Sequence, residues 1–181
     1  MAVAAATIGF ACLLVYDLWT VGVLRGRIFG MCFKVGFLLW AAATLCGIWQ
    51  SISYARIWRI ALFGVLALAS LGLEIYLLFF ALPKESYTAP ESRRRVCDCG
   101  AYGICRHPGF WSLAAVYLFL FLALPSKKML MLSALITLYN LIYIAIQDGF
   151  IFEKTFTDYA AYKKRVPFLL PKFRRHKSEI N

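Results

Sequence analysis

Gly100-Ala101-Tyr102-Gly103-Ile104-Cys105-Arg106-His107-Pro108 stands between two strongly apolar regions, at a point where the polypeptide turns back into a membrane. Pro108 suits the first position of a helix, and its ring pushes His107 toward an extended conformation just before it. Arg106 and His107 are then held beside unpaired helix N–H groups, a place suited to an anion. The same residues also make a basic juxtamembrane loop capped by a proline. The nonapeptide alone leaves both readings open.

The surroundings are those of a membrane protein. Hydrophobic residues make up 62% of the 181 residues, and the mean hydropathy is +0.70. Those values exclude an ordinary soluble domain and leave room for one membrane domain only. The net charge of +11 gathers in short loops and in the tail rather than along the chain. That pattern favours an anionic membrane face as partner, and no motif points to nucleic acid. Nor does any feature of the sequence point to a protein partner.

Working outward, the chain reads toward its start as three spans. Ala2 to Thr20 is the first, with Asp17 near its end. No basic region precedes it and no small-residue cleavage site follows, so it is expected to be a retained anchor. Ile28 to Trp49 is the second, after a connection carrying Arg25 and Arg27. Gln50 to Arg56 is a polar turn, with Trp49, Tyr54 and Trp58 placed like an interfacial aromatic belt. Ile57 to Leu82 is the third span, about 26 residues, enough to cross ~30 Å of hydrocarbon with tilt. Glu74 lies inside it. An intramembrane carboxylate is costly, so Glu74 is a site residue, or is protonated, or pairs with a neighbouring helix.

Toward the other end, Pro83 closes the third helix, and Lys84 to Arg106 is a long polar connection carrying Arg93-Arg94-Arg95. Gly109 to Leu124 is apolar but only about 16 residues, about 24 Å as a helix and marginal for a crossing. Pro125-Ser126-Lys127-Lys128 reads as a turn and Met129 to Gln147 as the return, making a helical hairpin. Asp148 to Tyr162 has interfacial character, and Lys163 to Lys177 is a basic tail. The expected fold is therefore all-α and polytopic, with about five transmembrane helices and a C-terminal helical hairpin. Residues 1–82 form three N-terminal helices, and residues 83–181 hold the loop, the hairpin and the basic interfacial segment.

The positive-inside rule sets the orientation. The first connection, the Lys84–Arg106 loop and the tail share one side, expected to be cytoplasmic, with the N-terminus outside. Arg56, Arg59, Lys127 and Lys128 count against it but are fewer. Cys12, Cys32 and Cys46 fall in apolar segments as small hydrophobes. Cys97, Cys99 and Cys105 lie in a loop expected to be reduced, without disulfides. With His107 they offer four soft ligands, but C-x-C-x5-C-x-H fits no standard zinc spacing, and no metal is expected. Phe119, Phe121, Tyr139 and Tyr143 suit a lipid pocket or plain helix packing.

About fifty residues after the opening stretch comes Tyr159-Ala160-Ala161-Tyr162-Lys163-Lys164-Arg165-Val166-Pro167. The pair G-x-Y-x-x-x-R-H-P and, one hairpin later, Y-x-x-Y-K-K-R-V-P resembles the integral-membrane methyltransferases of the isoprenylcysteine carboxyl methyltransferase type and their phospholipid-methylating relatives. The likeness runs from about Val96 to Pro171; the first ninety residues match only in being transmembrane.

The resemblance implies S-adenosylmethionine as methyl donor and a lipophilic or lipid-headgroup acceptor reached from the bilayer. It implies a cofactor site at Gly100, Tyr102, Arg106, His107 and Pro108, with Asp148, Glu153 and Tyr162 from the C-terminal segment. Arg106 would hold the donor's carboxylate and Arg165 would orient the acceptor; a headgroup-binding interfacial role for Arg165 stays open. Two departures stand out. Relatives carry adjacent glutamates where this chain has Gln147-Asp148-Gly149, and a Phe-Gly where it has Phe156-Thr157. Two alternatives therefore stay open. One is an NADPH-dependent membrane sterol or enone reductase, which shares an Arg-His-Pro loop. The other is a degenerate, non-catalytic membrane protein.

Overall fold

The computed structural model describes residues 1–82 and 94–170. Pro83, the Lys84–Arg93 part of the polar connection and the tail from Pro171 onward lie outside the described residues. Among the described residues every regular element is helical. Helix α1 spans Ala2–Thr20 and α2 spans Cys32–Ser51, entered through a tight 3₁₀ turn at Arg27–Met31. Helix α3 runs over Ile57–Phe79, α4 is a single turn at Ala101–Ile104, and α5 is Pro108–Ala123. Helix α6 runs over Lys127–Thr155 and α7 over Tyr159–Arg165. Four of these, α1, α3, α6 and α2 with its flanking turns, are long and apolar enough to cross a bilayer. Helix α5 is apolar but shorter, at 16 residues. The chain is an all-α polytopic membrane protein.

Neighbours in sequence are neighbours in space. Helix α1 lies against α2, α5 sits between α3 and α6, and α6 also touches α1 and α2. Glycine sets the closest approach. A Cβ on Gly9 would come 2.9 Å from the Gly36 carbonyl oxygen, and one on Gly36 would come 2.7 Å from that of Gly9. In lipid, where apolar surface gains little by pairing, such backbone proximity supplies the dispersion contacts that hold helices together. The core follows from that spacing: Phe10, Ala43, Tyr117, Leu132 and Ile136 are buried together. Phe10 meets Trp40, Tyr139 and Tyr143 at ring distances of 5.5 to 6.2 Å, so the aromatic positions of α6 serve helix packing. Polar atoms at this depth find partners on other helices, since hydrocarbon offers none. The Tyr117 hydroxyl accepts from Trp40 at 2.7 Å and bonds Thr44 at 2.6 Å.

The bundle has two unlike ends. At one, Ser51 at the end of α2 and Ser126 before α6 share a hydroxyl hydrogen bond of 2.6 Å, both buried; this is the hydroxyl end. At the other, Gln147 of α6 donates to Asp17 of α1 at 2.8 Å, and the chain between α3 and α5 meets the segment after α6; this is the acidic end. Glu74 is buried near the acidic end and accepts from the Ser112 hydroxyl of α5. Pairing with a neighbouring helix is thus the alternative realised for Glu74.

Several boundaries move from the sequence reading. Lys127 and Lys128 open α6 instead of forming a turn, because the Ser126 hydroxyl caps that helix, accepting from Met129 N at 3.0 Å. Helix α3 stops at Phe79. Helix α6 does not end at Gln147 but continues through a π turn at Gln147–Ile151. One thiol assignment is corrected. Cys97 and Cys99 are joined in a disulfide, with Cα atoms 5.4 Å apart; two cysteines separated by one residue are close enough to bond whatever the redox setting assumed for the loop.

Candidate ionic site at the acidic end

The site begins with the π turn. Adding one residue to a helical turn widens it and shifts the side chains that follow, and such turns recur at functional positions. Here it places Asp148, 7% exposed, toward the loop before α5. Pro108 occupies the first turn of α5, as its fixed φ favours, and His107 precedes it at φ −126°, ψ 66°, short of fully extended. Its ring turns inward to Asp148.

Asp148 is the hub. Its Oδ1 lies 2.9 Å from Arg106 Nε and 3.2 Å from His107 Nε2, and accepts the Tyr159 hydroxyl at 2.6 Å. The Arg106 Nε–H is not aimed at the oxygen, so that contact is an ion pair without a well-formed hydrogen bond, and the buried N–H has no acceptor among the described residues. From α7, Lys163 Nζ lies 3.7 Å from Asp148 Oδ2 and donates to Glu153 Oε1 at 2.8 Å. Rings enclose the hub: His107 stacks on Phe152 with centroids 5.9 Å apart and meets Phe168 edge-on at 5.0 Å.

The C-terminal segment holds the loop in place through backbone groups. Arg106 N donates to the Pro167 carbonyl at 2.9 Å, and Arg106 Nη1 to that of Lys163 at 3.2 Å. Val96 N donates to Asp158 Oδ1 at 2.9 Å, and the Trp111 indole to the Leu169 carbonyl at 3.0 Å. Tyr162 donates to the Tyr102 carbonyl at 2.6 Å, while the Tyr102 hydroxyl reaches the Leu77 carbonyl on α3. Gly100 starts α4 at φ +55°, ψ −130°, a conformation that a Cβ makes costly. Burial, and then the hydrogen bond to Asp148, push the Tyr159 phenol above its ordinary range, so it stays a donor. Burial also raises the Cys105 thiol, against a smaller opposing effect of the His107 backbone bond.

The structure thus joins Arg106, His107 and Asp148 directly, with Glu153 through Lys163 and with Tyr102 and Tyr162 alongside. Pro108 contributes as a helix start and Gly100 as a turn. Arg165 is not brought to Asp148. It is 56% exposed and pairs with Asp98, 51% exposed, at 3.0 Å. Sequence reasoning missed Tyr159 and Lys163 as members of the cluster. The available signal was their spacing of four, which puts both on one face of α7.

The donor set fits a zwitterionic amino acid cofactor. Among the described residues, the Arg106 Nε–H has no acceptor and is a donor suited to a carboxylate, and Asp148 Oδ2 meets Lys163 alone, at 3.7 Å, leaving acceptor capacity for an ammonium or a hydroxyl. Fold and site define an all-α membrane protein with a buried, carboxylate-centred ionic cluster at one end. Comparison with protein-family models, with curated proteins and with solved structures found no match.

Proposed function

We propose that the chain is an integral-membrane S-adenosylmethionine-dependent methyltransferase acting on a lipophilic or lipid-headgroup acceptor. One observation carries the reading: the Arg106-His107 loop and the Tyr159–Arg165 segment, more than fifty residues apart, meet on Asp148. Those are the two motifs on which the resemblance to isoprenylcysteine carboxyl methyltransferases rests. When bound, the cofactor supplies an activated methyl group whose transfer demands positioning and exclusion of water more than acid–base work.

Each residue then has a task. Arg106 binds the donor's carboxylate, and Asp148 accepts from its ammonium or ribose. Lys163 and Tyr159 hold Asp148 in place, and Phe152 and Phe168 keep water from the site. Arg165 orients an anionic acceptor after exchanging its exposed Asp98 partner, an exchange of low cost because exposed pairs contribute ~0–1 kcal/mol. The charge count puts the acidic end in the cytoplasm and the N-terminus outside. The Cys97–Cys99 bridge argues for an oxidising side. Yet the bridge is one pair of neighbouring cysteines, whereas the charge count draws on three basic segments, and the charge count is the weightier guide.

The test is calorimetric titration of the purified protein with S-adenosylhomocysteine and, separately, NADPH. Binding of the first alone is expected. Binding of NADPH alone would move the chain to the membrane reductases, and binding of neither would make it a non-catalytic membrane protein.

A further inference from the structure

The hydroxyl end carries a cleft of its own. Ser53, Tyr54, Ala55, Arg56, Arg59 and Pro125 line about 290 Å³ between the start of α3 and the α5–α6 connection. Two features make it a place for an anion. The Arg59 Nε–H is buried and has no acceptor among the described residues, a state that costs free energy until one is supplied. Arg56, fully in reach of solvent, precedes the first turn of α3, where no side chain caps the helix N–H groups.

Nothing nearby neutralises these cations. Between Asp17 and Glu74, and again between Asp98 and Asp148, the sequence contains no Asp or Glu. Among the described residues, no carboxylate pairs with Arg56 or Arg59, and exposed Lys127 and Lys128 follow Pro125 and Ser126. The rim of the cleft is of the opposite character. Tyr54, which lines the cleft, is 55% exposed. Next to the lining residues, Ile57, 89% exposed, and Trp58, 55% exposed, open a helix long enough to span a bilayer. Aromatic residues so placed mark the depth where headgroups meet hydrocarbon. The Arg59 guanidinium itself lies over Trp58, 5.1 Å from the ring centroid.

A cationic floor with an apolar rim fits a ligand with an anionic head and a hydrocarbon body. We propose that this cleft binds the phosphate of an anionic membrane lipid, with Arg56 and Arg59 on the phosphate and acyl chains lying along Ile57 and Trp58. Guanidinium groups suit that task because their paired N–H donors match phosphate oxygens. The site is separate from the Asp148 cluster and stands whether or not the methyltransferase reading does.

The experiment is thermal unfolding of the full chain in neutral detergent micelles, titrated with dioctanoyl phosphatidic acid, dioctanoyl phosphatidylcholine or inorganic phosphate. Phosphatidic acid should raise the midpoint saturably, and the other two should do so far less. R56Q/R59Q should raise the half-saturating concentration about tenfold or more, as expected for losing charge-assisted hydrogen bonds. K154Q/K164Q, an equal loss of two charges at exposed lysines of the acidic end, should leave it unchanged. Should the double variant not fold, R56Q alone carries the same test, because its side chain is exposed. Equal protection by phosphatidylcholine would show that headgroup charge is not read. Equal protection by inorganic phosphate would show a free-anion site without the lipid. Either result, or an unchanged half-saturation in the arginine variants, overturns the proposal.

Discussion

The two ends of the bundle handle polar groups in opposite ways. At the acidic end a buried carboxylate is surrounded by Arg106, His107, Tyr159 and Lys163, and every one of them comes from the chain itself. At the hydroxyl end the buried contact is a neutral pair of serines, and exposed Arg56, Lys127 and Lys128 stand outside it with no carboxylate partner among the described residues. The lesson concerns dielectric. A charge taken out of water needs its counterions built in, whereas one at the membrane surface is screened by salt and lipid and can be left unmatched.

That contrast can be broken most directly at Asp148. Asp148→Ala leaves Arg106 and Lys163 without their shared partner, and the fold should lose about 3–5 kcal/mol, the cost of orphaning a buried charge. Chemical denaturation in detergent measures it. A loss under ~1 kcal/mol would mean that water reaches the cluster and that the two ends differ less than their geometry implies.

Next in size is Arg106→Ala, read as ligand affinity. S-adenosylhomocysteine binding should weaken by about 1.5–3 kcal/mol, the range for hydrogen bonds to charged groups. Unchanged affinity in a folded variant would take the loop out of the cofactor site and leave the cluster a structural clasp.

Arg165→Lys sharpens the comparison within the acidic end, between its buried hub and its exposed rim. If Arg165 orients an acceptor carboxylate with two parallel bonds, turnover should fall tenfold or more, about 1.4 kcal/mol of barrier, with donor affinity unchanged. Full activity with Lys would assign it to holding lipid, a task for which charge alone suffices.

The smallest effect belongs to the hydroxyl end. Ser51→Ala removes one neutral hydrogen bond and should cost about 1 kcal/mol by thermal unfolding. A loss matching that of Asp148→Ala would erase the distinction between the ends.

How much of this was readable beforehand depends on the range of the interaction. Ala2–Thr20 was legible to the residue, since a long apolar run before the glycine of a turn has one stable setting in a bilayer. Pro108 announced its helix because its effect on the backbone is local. The join between Arg106 and Asp148 was visible only through the pairing of motifs, for nothing in either stretch states that they touch. Lys163 looked like one more tail cation. Its role depends on the π turn at Gln147–Ile151, which no residue pattern advertised, and on the break after Thr155 that turns α7 back. The Gly9–Gly36 contact was missed for the same reason: close approach is a property of two helices together.

The backbone bonds from Pro167 and Leu169 to the loop around Arg106 have a consequence for synthesis. The spans α1 to α3 can enter the bilayer as they leave the ribosome, because their partners lie next to them in the chain. The loop after α3 must wait, with the Arg106 amide and the Trp111 indole lacking these acceptors, until the segment more than fifty residues downstream has been made. A ribosome that stalls between α6 and α7 would thus leave an inserted bundle whose ionic site lacks Tyr159 and Lys163, a product distinguishable by quality control at one end only.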